Sequence, residues 1–222
     1  MTFHEPPNRY FSAVRHDLIA NLSGSALRVL ELGCGTGNTG AELLRSQIAA
    51  TVVGIELDPI AARQARKVLT RVVEGNIEDI DTAEMGRFDA IIVGDVLEHL
   101  YDPWKVVAML AQQHLKPGGQ FLASIPNARC YALWLPLVVR GRFDYQETGL
   151  LDRSHIRWFT ESTILSMYQA AGLAPVVVDV RRVAEARGKV ANLTAQALGP
   201  FGVVQYLVRG TLSEVDAKSI AA

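Results

Sequence analysis

The sequence has 222 residues, of which 49% are hydrophobic and 20% charged, as in ordinary globular proteins. Its formal net charge of −1 provides no overall positive field that would attract nucleic acid or an anionic membrane. Cys34 and Cys130 do not form a disulfide framework, and neither an apolar signal core nor a membrane-length apolar run is found, so we expect a cytoplasmic protein.

Short apolar runs alternate with helical patterns in the first part of the chain. The runs are rich in Val and Ile and show little polar alternation, as strands buried on both faces do. They cover residues 28–32, 51–57, 71–75, 88–95 and 119–126. Helices are predicted over 39–49, 59–69 and 103–115, and the last two begin at Asp-Pro pairs that suit a helix N-terminus. This alternation predicts an α/β fold, a doubly wound sheet with helices on both faces.

The pattern changes after residue 126. Residues 127–157 have no clean period and are too long for an ordinary connection, which predicts an insertion or lid after the fifth strand. Its aromatic side chains and arginines suit an acceptor pocket, although a dimer contact would use the same surface. A helix over 161–171, a sixth strand over 175–180, a helical stretch over 182–199 and a last strand over 203–210 would complete one domain covering 1–222.

A Gly-rich turn, VLELGCGTGNTG, joins the first strand to the next helix at residues 29–40. Gly33, Gly35 and Gly37 allow a tight turn and close approach of a ligand to the backbone. By itself this motif fits a dinucleotide, S-adenosylmethionine (SAM) or a turn without ligand. Glu31 favours SAM, because a carboxylate there can accept from a methionine amino group and would repel a pyrophosphate. Glu56, at the end of the second strand, can accept ribose hydroxyls of either nucleoside.

Five motifs follow one another between about residues 10 and 181: VLELGCGTG, GIELDP, EGNIED, FDAIIVGDVLEHLYDP and LKPGGQFLASIPN. In this order they resemble the class I SAM-dependent methyltransferase family. Within the family, the chain resembles the branch of ubiquinone-biosynthesis O-methyltransferases and of glycan- and natural-product-pathway methyltransferases. The resemblance implies a Rossmann-like seven-stranded sheet of order 3-2-1-4-5-7-6 with the last strand antiparallel. It also implies SAM as cofactor and a quinone-, sugar- or natural-product-like small-molecule acceptor.

The resemblance assigns cofactor roles to residues at matching positions. Glu56 would hold the ribose, with Leu57 against the adenine. Asn76 stands where the family often has aspartate, and its side-chain oxygen can still accept from the adenine amino group. Arg15 could pair with the SAM carboxylate or be a solvated helix charge. The implied cofactor-binding residues are Tyr10, Arg15, Glu31, Gly33, Cys34, Gly35, Gly37, Asn38, Glu56, Leu57, Asn76, Ile77, Asp95, Val96 and Leu97.

Four side chains suggest a metal site or an acid–base centre. The segment DVLEHL provides Asp95, Glu98 and His99, and His155 follows in SHIRWF. Two carboxylates and two imidazoles suit a divalent ion such as Mg²⁺, and the segment resembles that of metal-assisted O-methyltransferases, with Asp95 replacing a longer Glu. His155 and His99 are the candidate catalytic residues. Alternatively, Glu98 and His99 only shape their loop, and His155 is a packing residue.

The sequence therefore predicts a SAM-dependent methyltransferase that modifies a small molecule, on a hydroxyl oxygen. N- or C-methyl transfer on the same fold, and a non-catalytic SAM-binding partner, would preserve the same cofactor residues. An NAD-dependent oxidoreductase is disfavoured because the first three glycines after the strand are spaced GxGxG and Glu31 precedes them, where it would repel a pyrophosphate. The near-neutral charge disfavours a nucleic-acid substrate. Both a monomer and a homodimer remain open.

Overall fold

The computed structural model describes residues 13–183 and 197–213. Within them seven strands form one sheet of order β3-β2-β1-β4-β5-β7-β6. Strands β1 to β5 pair in parallel, whereas β7 is antiparallel to both β5 and β6. The predicted strand order and the antiparallel last strand are confirmed. The strands are β1 (Leu27–Leu32), β2 (Ala49–Glu56), β3 (Arg71–Glu74), β4 (Phe88–Gly94), β5 (Leu115–Pro126), β6 (Leu173–Arg182) and β7 (Val203–Leu212).

Helices cover both faces of the sheet. Leu18, Leu43 and Ala65, one from each of the first three helices, pack in a core on one face. Val106 and Ile164, from later helices, belong to a larger core on the other face. The helices are α1 (His16–Ala20), α2 (Asn38–Arg45), α3 (Pro59–Ala65), α4 (Pro103–Met109), α5 (Tyr131–Arg140) and α6 (Glu161–Ala170). Of the helices in the described ranges, none combines the length and apolarity that crossing a bilayer requires.

Strand β5 begins earlier than the sequence indicated. Leu115 already pairs with Phe88, and the register then shifts so that Ala90 pairs with Gln120. The intervening Pro-Gly-Gly residues are absorbed by this irregularity inside the strand, whereas the sequence pattern placed them before it as a helix stop. The preceding helix α4 ends at Met109, and a single π-helical turn (Leu110–His114) connects it to β5.

The segment after β5 contains a helix that the sequence pattern did not predict. Helix α5 has Pro136 in its interior, and of its residues only Leu133 is buried. Periodicity fails there because most of its apolar residues face solvent and so define no buried stripe. Of the predicted helical stretch 182–199, residues 184–196 lie outside the described ranges, Arg182 ends β6, and Gly199–Gly202 form a 3₁₀ turn.

The fold brings four loops to one edge of the sheet. Because β1, β2, β3 and β4 run in parallel, the loops that follow them lie at the same carboxyl edge. Ligands of open α/β sheets bind at this edge, where the strand order reverses. Here the reversal lies between β1 and β4, so the Gly-rich turn and the DVLEHL segment are neighbours.

Candidate active site

The Gly-rich turn is held tightly beneath the carboxyl edge. Gly33, Gly35 and Gly37 all adopt left-handed backbone conformations, with φ of 69°, 54° and 85°. The backbone N–H of Gly33 donates to the carbonyl of Ile55 over 2.9 Å, which ties the turn to the end of β2. A Cβ on Gly33 would lie 2.4 Å from Cγ2 of Val96, so the turns after β1 and β4 touch at this residue. Glycine is therefore required here by both conformation and space.

Glu56 joins two of these loops. Its buried carboxylate accepts from the backbone N–H of Gly35 over 2.8 Å and from that of Asp58 over 2.9 Å. Each carboxylate oxygen has a further lone pair, so the side chain can still accept ligand hydroxyls. Leu57, the next residue, is 68% exposed, which leaves an apolar side chain beside the loop for a ring to rest on.

Glu31 lies at the end of β1 beneath the start of α2. The pKa of its carboxyl is raised to about 8, chiefly by burial and also by the nearby Glu56, while hydrogen bonds from the Gly40 N–H and the Thr39 hydroxyl oppose the shift. Its Oε2 atom has no hydrogen-bond partner among the described residues. A buried carboxyl with a spare oxygen attracts a cationic group, as the methionine amino group would be. The neighbouring Cys34 thiol is buried, and burial raises its pKa as well.

Asn76 and Ile77 shape the turn after β3. The Asn76 side chain donates to Asp79 over 2.9 Å and accepts from the backbone N–H of Glu78 over 3.1 Å. Ile77 is buried in the core. The two residues stand at the predicted edge of the sheet, and their contact with adenine stays a prediction. Asn38 opens helix α2, and Tyr10 lies outside the described residues.

Asp95 follows β4 in a left-handed conformation, with φ of 55°. Arg15 donates to its Oδ2 over 2.7 Å, and the Ser124 hydroxyl donates to its Oδ1 over 2.9 Å. The Gln205 amide also donates to Oδ1. Arg15 pairs with Asp17 as well and is largely buried, so it is not a solvated helix charge. Its predicted partner, the SAM carboxylate, would have to compete with these two aspartates.

Three side chains with metal-ligand chemistry meet just beyond Asp95. Glu98, His99 and His155 each offer one ligand atom, and these atoms lie within 4.8 Å of one another. Glu98 is 1% exposed, and both of its carboxylate oxygens lack hydrogen-bond partners among the described residues, as does Nε2 of His99. Asp95 is not in this group, because its carboxylate is held by Arg15, Ser124 and Gln205. The structure thus assembles three of the four predicted metal ligands.

Both imidazoles contact a backbone carbonyl through Nδ1, which leaves Nε2 of each ring for another partner. Nδ1 of His99 contacts the Ser154 carbonyl at 3.1 Å, and Nδ1 of His155 contacts the Leu150 carbonyl at 3.1 Å. Since a carbonyl only accepts, these contacts place the proton on Nδ1 and leave a lone pair on Nε2. Nε2 of His155 lies 3.9 Å from Oε1 of Glu98. Burial and the neighbouring His155 lower the pKa of His99, which keeps its ring neutral.

A short segment before α6 positions His155. Asp152 is buried and accepts from the backbone N–H of Ser154 over 2.9 Å and from its hydroxyl over 2.6 Å. The backbone N–H groups of Ile156 and Arg157 both donate to the Glu98 carbonyl, over 2.9 and 3.0 Å. Sequence reasoning missed Asp152, Ser154, Ser124 and Gln205. An Asp three residues before a histidine was the one signal for the first two, and no local pattern marks the others.

Aromatic rings lead away from the three-residue cluster. Trp158 lies 6.0 Å from the His155 ring, Phe143 lies 5.8 Å from Trp158, and Tyr145 lies 5.5 Å from Phe143, measured between centroids. Trp158 and Tyr145 are exposed. A cavity of about 380 Å³ is lined, among others, by Arg181 and by the three side chains that hold Asp95, namely Arg15, Ser124 and Gln205.

Comparisons with known proteins agree with this architecture. A methyltransferase-domain family profile matches residues 5–178. Ubiquinone biosynthesis O-methyltransferase of Xanthomonas oryzae is 31% identical over 141 residues, covering 60% of this chain and 58% of the relative. The enzyme of the same name from Thiobacillus denitrificans is 36% identical over 144 residues, covering 58% of this chain and 60% of the relative. The chain therefore spans less than two thirds of the length of these relatives.

Solved structures share the fold at low sequence identity. A SAM-dependent methyltransferase from Archaeoglobus fulgidus superimposes with a TM-score of 0.65 at 14% identity, covering 88% of this chain and 90% of that one. One from Mesorhizobium loti gives a TM-score of 0.63 at 17% identity, covering 88% of this chain and 96% of that one.

Proposed function

Since the chain belongs to the class I SAM-dependent methyltransferase family, we propose that it transfers the methyl group of SAM to a hydroxyl oxygen of a small molecule. The observation that carries the choice of oxygen is the cluster of Glu98, His99 and His155 beside the cofactor loops. Two Nε2 lone pairs and a carboxyl group meet there, and neither the two Glu98 oxygens nor Nε2 of His99 has a hydrogen-bond partner among the described residues. Such a group can take a proton from a hydroxyl or hold it through a cation.

The loops at the carboxyl edge support SAM as the methyl donor. In our proposal Glu56 accepts from the ribose hydroxyls with its remaining lone pairs, and Leu57 covers one face of the adenine. Glu31 attracts the methionine amino group, whose positive charge compensates a carboxylate that is costly to bury alone. The Gly-rich turn lets the backbone approach the methionine portion closely.

A hydroxyl becomes a good methyl acceptor once it loses its proton. In the proposed mechanism His155 accepts this proton at Nε2, while the Leu150 carbonyl fixes the ring orientation through Nδ1. Aligning the oxygen with the methyl group is the larger part of the catalysis, since the sulfonium is already activated. The aromatic rings of Trp158 and Phe143 would orient the acceptor.

The same three side chains fit a divalent cation. Each imidazole donates its distant N–H to a backbone carbonyl, as metal-bound histidines ordinarily do, and Glu98 supplies negative charge. A bound cation would lower the pKa of a coordinated hydroxyl. Glu98, His99 and His155 would hold it, and Asp95 would not, because its carboxylate is already engaged.

The acceptor that we propose carries its hydroxyl on a planar ring. The line of rings from His155 to Tyr145 offers stacking surface at the approach to the cluster. Relatives named ubiquinone biosynthesis O-methyltransferases agree with a quinol-like ring. A sugar has no aromatic ring and would therefore stack less extensively on this surface.

The test uses the purified full chain with methyl-labelled SAM and a synthetic catechol. We expect labelled methyl ether, and we expect His155→Asn to abolish it. Asn preserves a donor near the Leu150 carbonyl but lacks the Nε2 lone pair, so folding and S-adenosylhomocysteine binding should persist. The same assay is repeated with an extract of the source cells in place of the catechol. If S-adenosylhomocysteine binds but no methyl group is transferred to the catechol or to any component of the extract, a non-catalytic SAM-binding protein is favoured instead. Label on nitrogen or carbon would refute the choice of oxygen.

A further inference from the structure

Asp95 occupies a left-handed backbone conformation, which is uncommon for residues other than glycine, asparagine and aspartate. Its φ of 55° is left-handed, and it is one of three non-glycine residues with positive φ in the described parts of the chain. A strained residue persists only where its surroundings hold it, and such residues concentrate at functional sites. The question is therefore what holds Asp95 and what its conformation positions.

Side chains from β5, which is next to β4, and from β7, which is next to β5, supply the restraint. Ser124 of β5 donates its hydroxyl to Asp95 Oδ1 over 2.9 Å, and its Oγ accepts from the Asp95 backbone N–H over 3.2 Å. Gln205 of β7 donates its amide to the same Oδ1. Gln205 is 8% exposed, and its hydrogen bond reaches the partly exposed carboxylate of Asp95. Arg15 completes the set at Oδ2.

The residue after Asp95 touches the cofactor loop. Val96 lies so close to Gly33 that a Cβ on this glycine would be 2.4 Å from Val96 Cγ2. Gly33 begins the Gly-rich turn and is itself left-handed. Rotation of the Asp95 backbone toward ordinary angles would move Val96 against this turn. The conformation of Asp95 therefore fixes how the loops after β1 and β4 fit together.

We propose that Ser124 and Gln205 are positioning residues for SAM. By hydrogen bonding to the Asp95 carboxylate they hold its backbone left-handed, and this keeps Val96 seated against Gly33 in the shape that binds the cofactor. Gln205 lies outside the five family motifs, and Ser124, which stands in the LKPGGQFLASIPN motif, was assigned no cofactor role from the sequence. They act through Asp95 from strands β5 and β7, so the antiparallel part of the sheet contributes to cofactor affinity.

The first experiment measures S-adenosylhomocysteine affinity by calorimetry for wild type, Gln205→Met and Ser124→Ala. A hydrogen bond to a charged group is strong enough that its loss should weaken binding about tenfold. Gln120→Met is the matched control, because the Gln120 amide bonds to Ser23 at the amino end of the same sheet, away from the cofactor loops. If Ser124→Ala and Gln205→Met bind as tightly as Gln120→Met, the proposal is wrong.

A second experiment separates positioning from general destabilisation. Glycine adopts left-handed φ without support, so in an Asp95→Gly background the substitution Gln205→Met should change affinity less than twofold. The same tenfold loss in both backgrounds would overturn the proposal. The thermal midpoint of each variant shows whether it is folded. If Gln205→Met folds poorly, Ser124→Ala takes its place in the comparison of the two backgrounds. Wild type that does not bind S-adenosylhomocysteine at all would contradict both the proposed function and this inference, whereas tight binding by every variant contradicts the inference alone.

Discussion

Three glutamates at the carboxyl edge of the sheet are all buried but differ in their partners. Glu56 accepts two backbone N–H groups, Glu31 keeps one unpartnered oxygen, and Glu98 has no hydrogen bond to either oxygen within the described residues. Burying a carboxylate without hydrogen-bond partners costs free energy, so such a group is expected to take up a proton or to bind a cation. For Glu98, burial and the nearby Asp95 raise the pKa well above its ordinary value. The unpartnered side chains thus mark where ligands are expected.

Glu31 should make stability depend on pH in an unusual direction. Burial raises its pKa from 4.5 to about 8, so between these values the folded chain keeps a proton that the unfolded chain releases. Its contribution to the free energy of unfolding is therefore complete below pH 4.5 and is lost as the pH rises toward 8. We expect Glu31→Gln to flatten the stability profile over this range, measured by denaturant titration. Parallel profiles for the two proteins would contradict the assignment.

Glu98 should govern cation binding more than folding. Glu98→Gln has the same shape without the charge, so the free energy of unfolding of the ligand-free protein should fall by no more than about 1 kcal/mol, or rise. If the cluster binds Mn²⁺ or Mg²⁺, the wild type should gain thermal stability on adding the ion, and Glu98→Gln should not. The exposed Glu84 offers a control, since Glu84→Gln should respond as wild type does. An equal response of Glu98→Gln would exclude the cluster as the cation site.

At the scale of elements, the segment between α5 and α6 is ordered by its own hydrogen bonds. The backbone N–H of His155 donates to the Asp152 carbonyl over 3.0 Å, and the backbone N–H groups of Ile156 and Arg157 both donate to the Glu98 carbonyl. Helix α6 then starts with a capping box in which Thr160 accepts from the backbone N–H of Thr163. This arrangement presents His155 from a rigid turn, which suits a residue that must meet a reacting atom.

Removing the Asp152 carboxylate should loosen this turn. Asp152→Ala leaves the Ser154 N–H and hydroxyl without their acceptor, and we expect about 1–2 kcal/mol lower stability together with a larger loss of methyl transfer. Asp102→Ala is the matched control, because Asp102 caps α4 through the Lys105 N–H and lies outside the His155 turn. Both variants should lose similar stability, but only Asp152→Ala should lose transfer. Equal activities would show that the turn does not position His155.

At the scale of the whole molecule, the parallel sheet is what gathers the site. Residues far apart in the chain meet because β1, β2 and β4 end at one edge of the sheet. Ser124 of β5 and Gln205 of β7 then hydrogen bond to Asp95 at that edge. The loops at that edge contain several positive φ angles, whereas the strands beneath them have almost fully buried cores. Ligand contacts at that edge should therefore add to the interactions that stabilise the folded chain.

Cofactor binding should raise the unfolding temperature of the entire chain. With S-adenosylhomocysteine at 100 times its dissociation constant, linkage predicts about 2.7 kcal/mol of added stability. For a domain of this length that corresponds to roughly 5–10 °C in the thermal midpoint, measured by calorimetry. Adenosine alone should give a smaller shift because it lacks the methionine portion that Glu31 would attract. No shift with either ligand would contradict SAM as the cofactor.

Local sequence determined the elements and the cofactor loop. Apolar runs placed the strands to within a few residues, and the ends of β1 at Leu32 and of β2 at Glu56 are those the sequence indicated. These features depend on side-chain patterning and on glycine at left-handed positions, both of which are readable from neighbouring residues. Helix α5 escaped prediction because its exposed apolar side chains and Pro136 hide the helical period.

Only the tertiary structure decided how the candidate active-site residues divide. The sequence grouped Asp95 with Glu98, His99 and His155 as metal ligands. In the structure the last three lie together, whereas the Asp95 carboxylate is hydrogen bonded to Arg15, Ser124 and Gln205. Chain order cannot reveal this, because the side chain follows the left-handed backbone at Asp95 and donors that come from distant strands. The alternation of strands and helices and the family motifs follow from the sequence by itself, and the strand order follows from the family resemblance. The partners of each buried charge depend on which distant residues the sheet brings beside it.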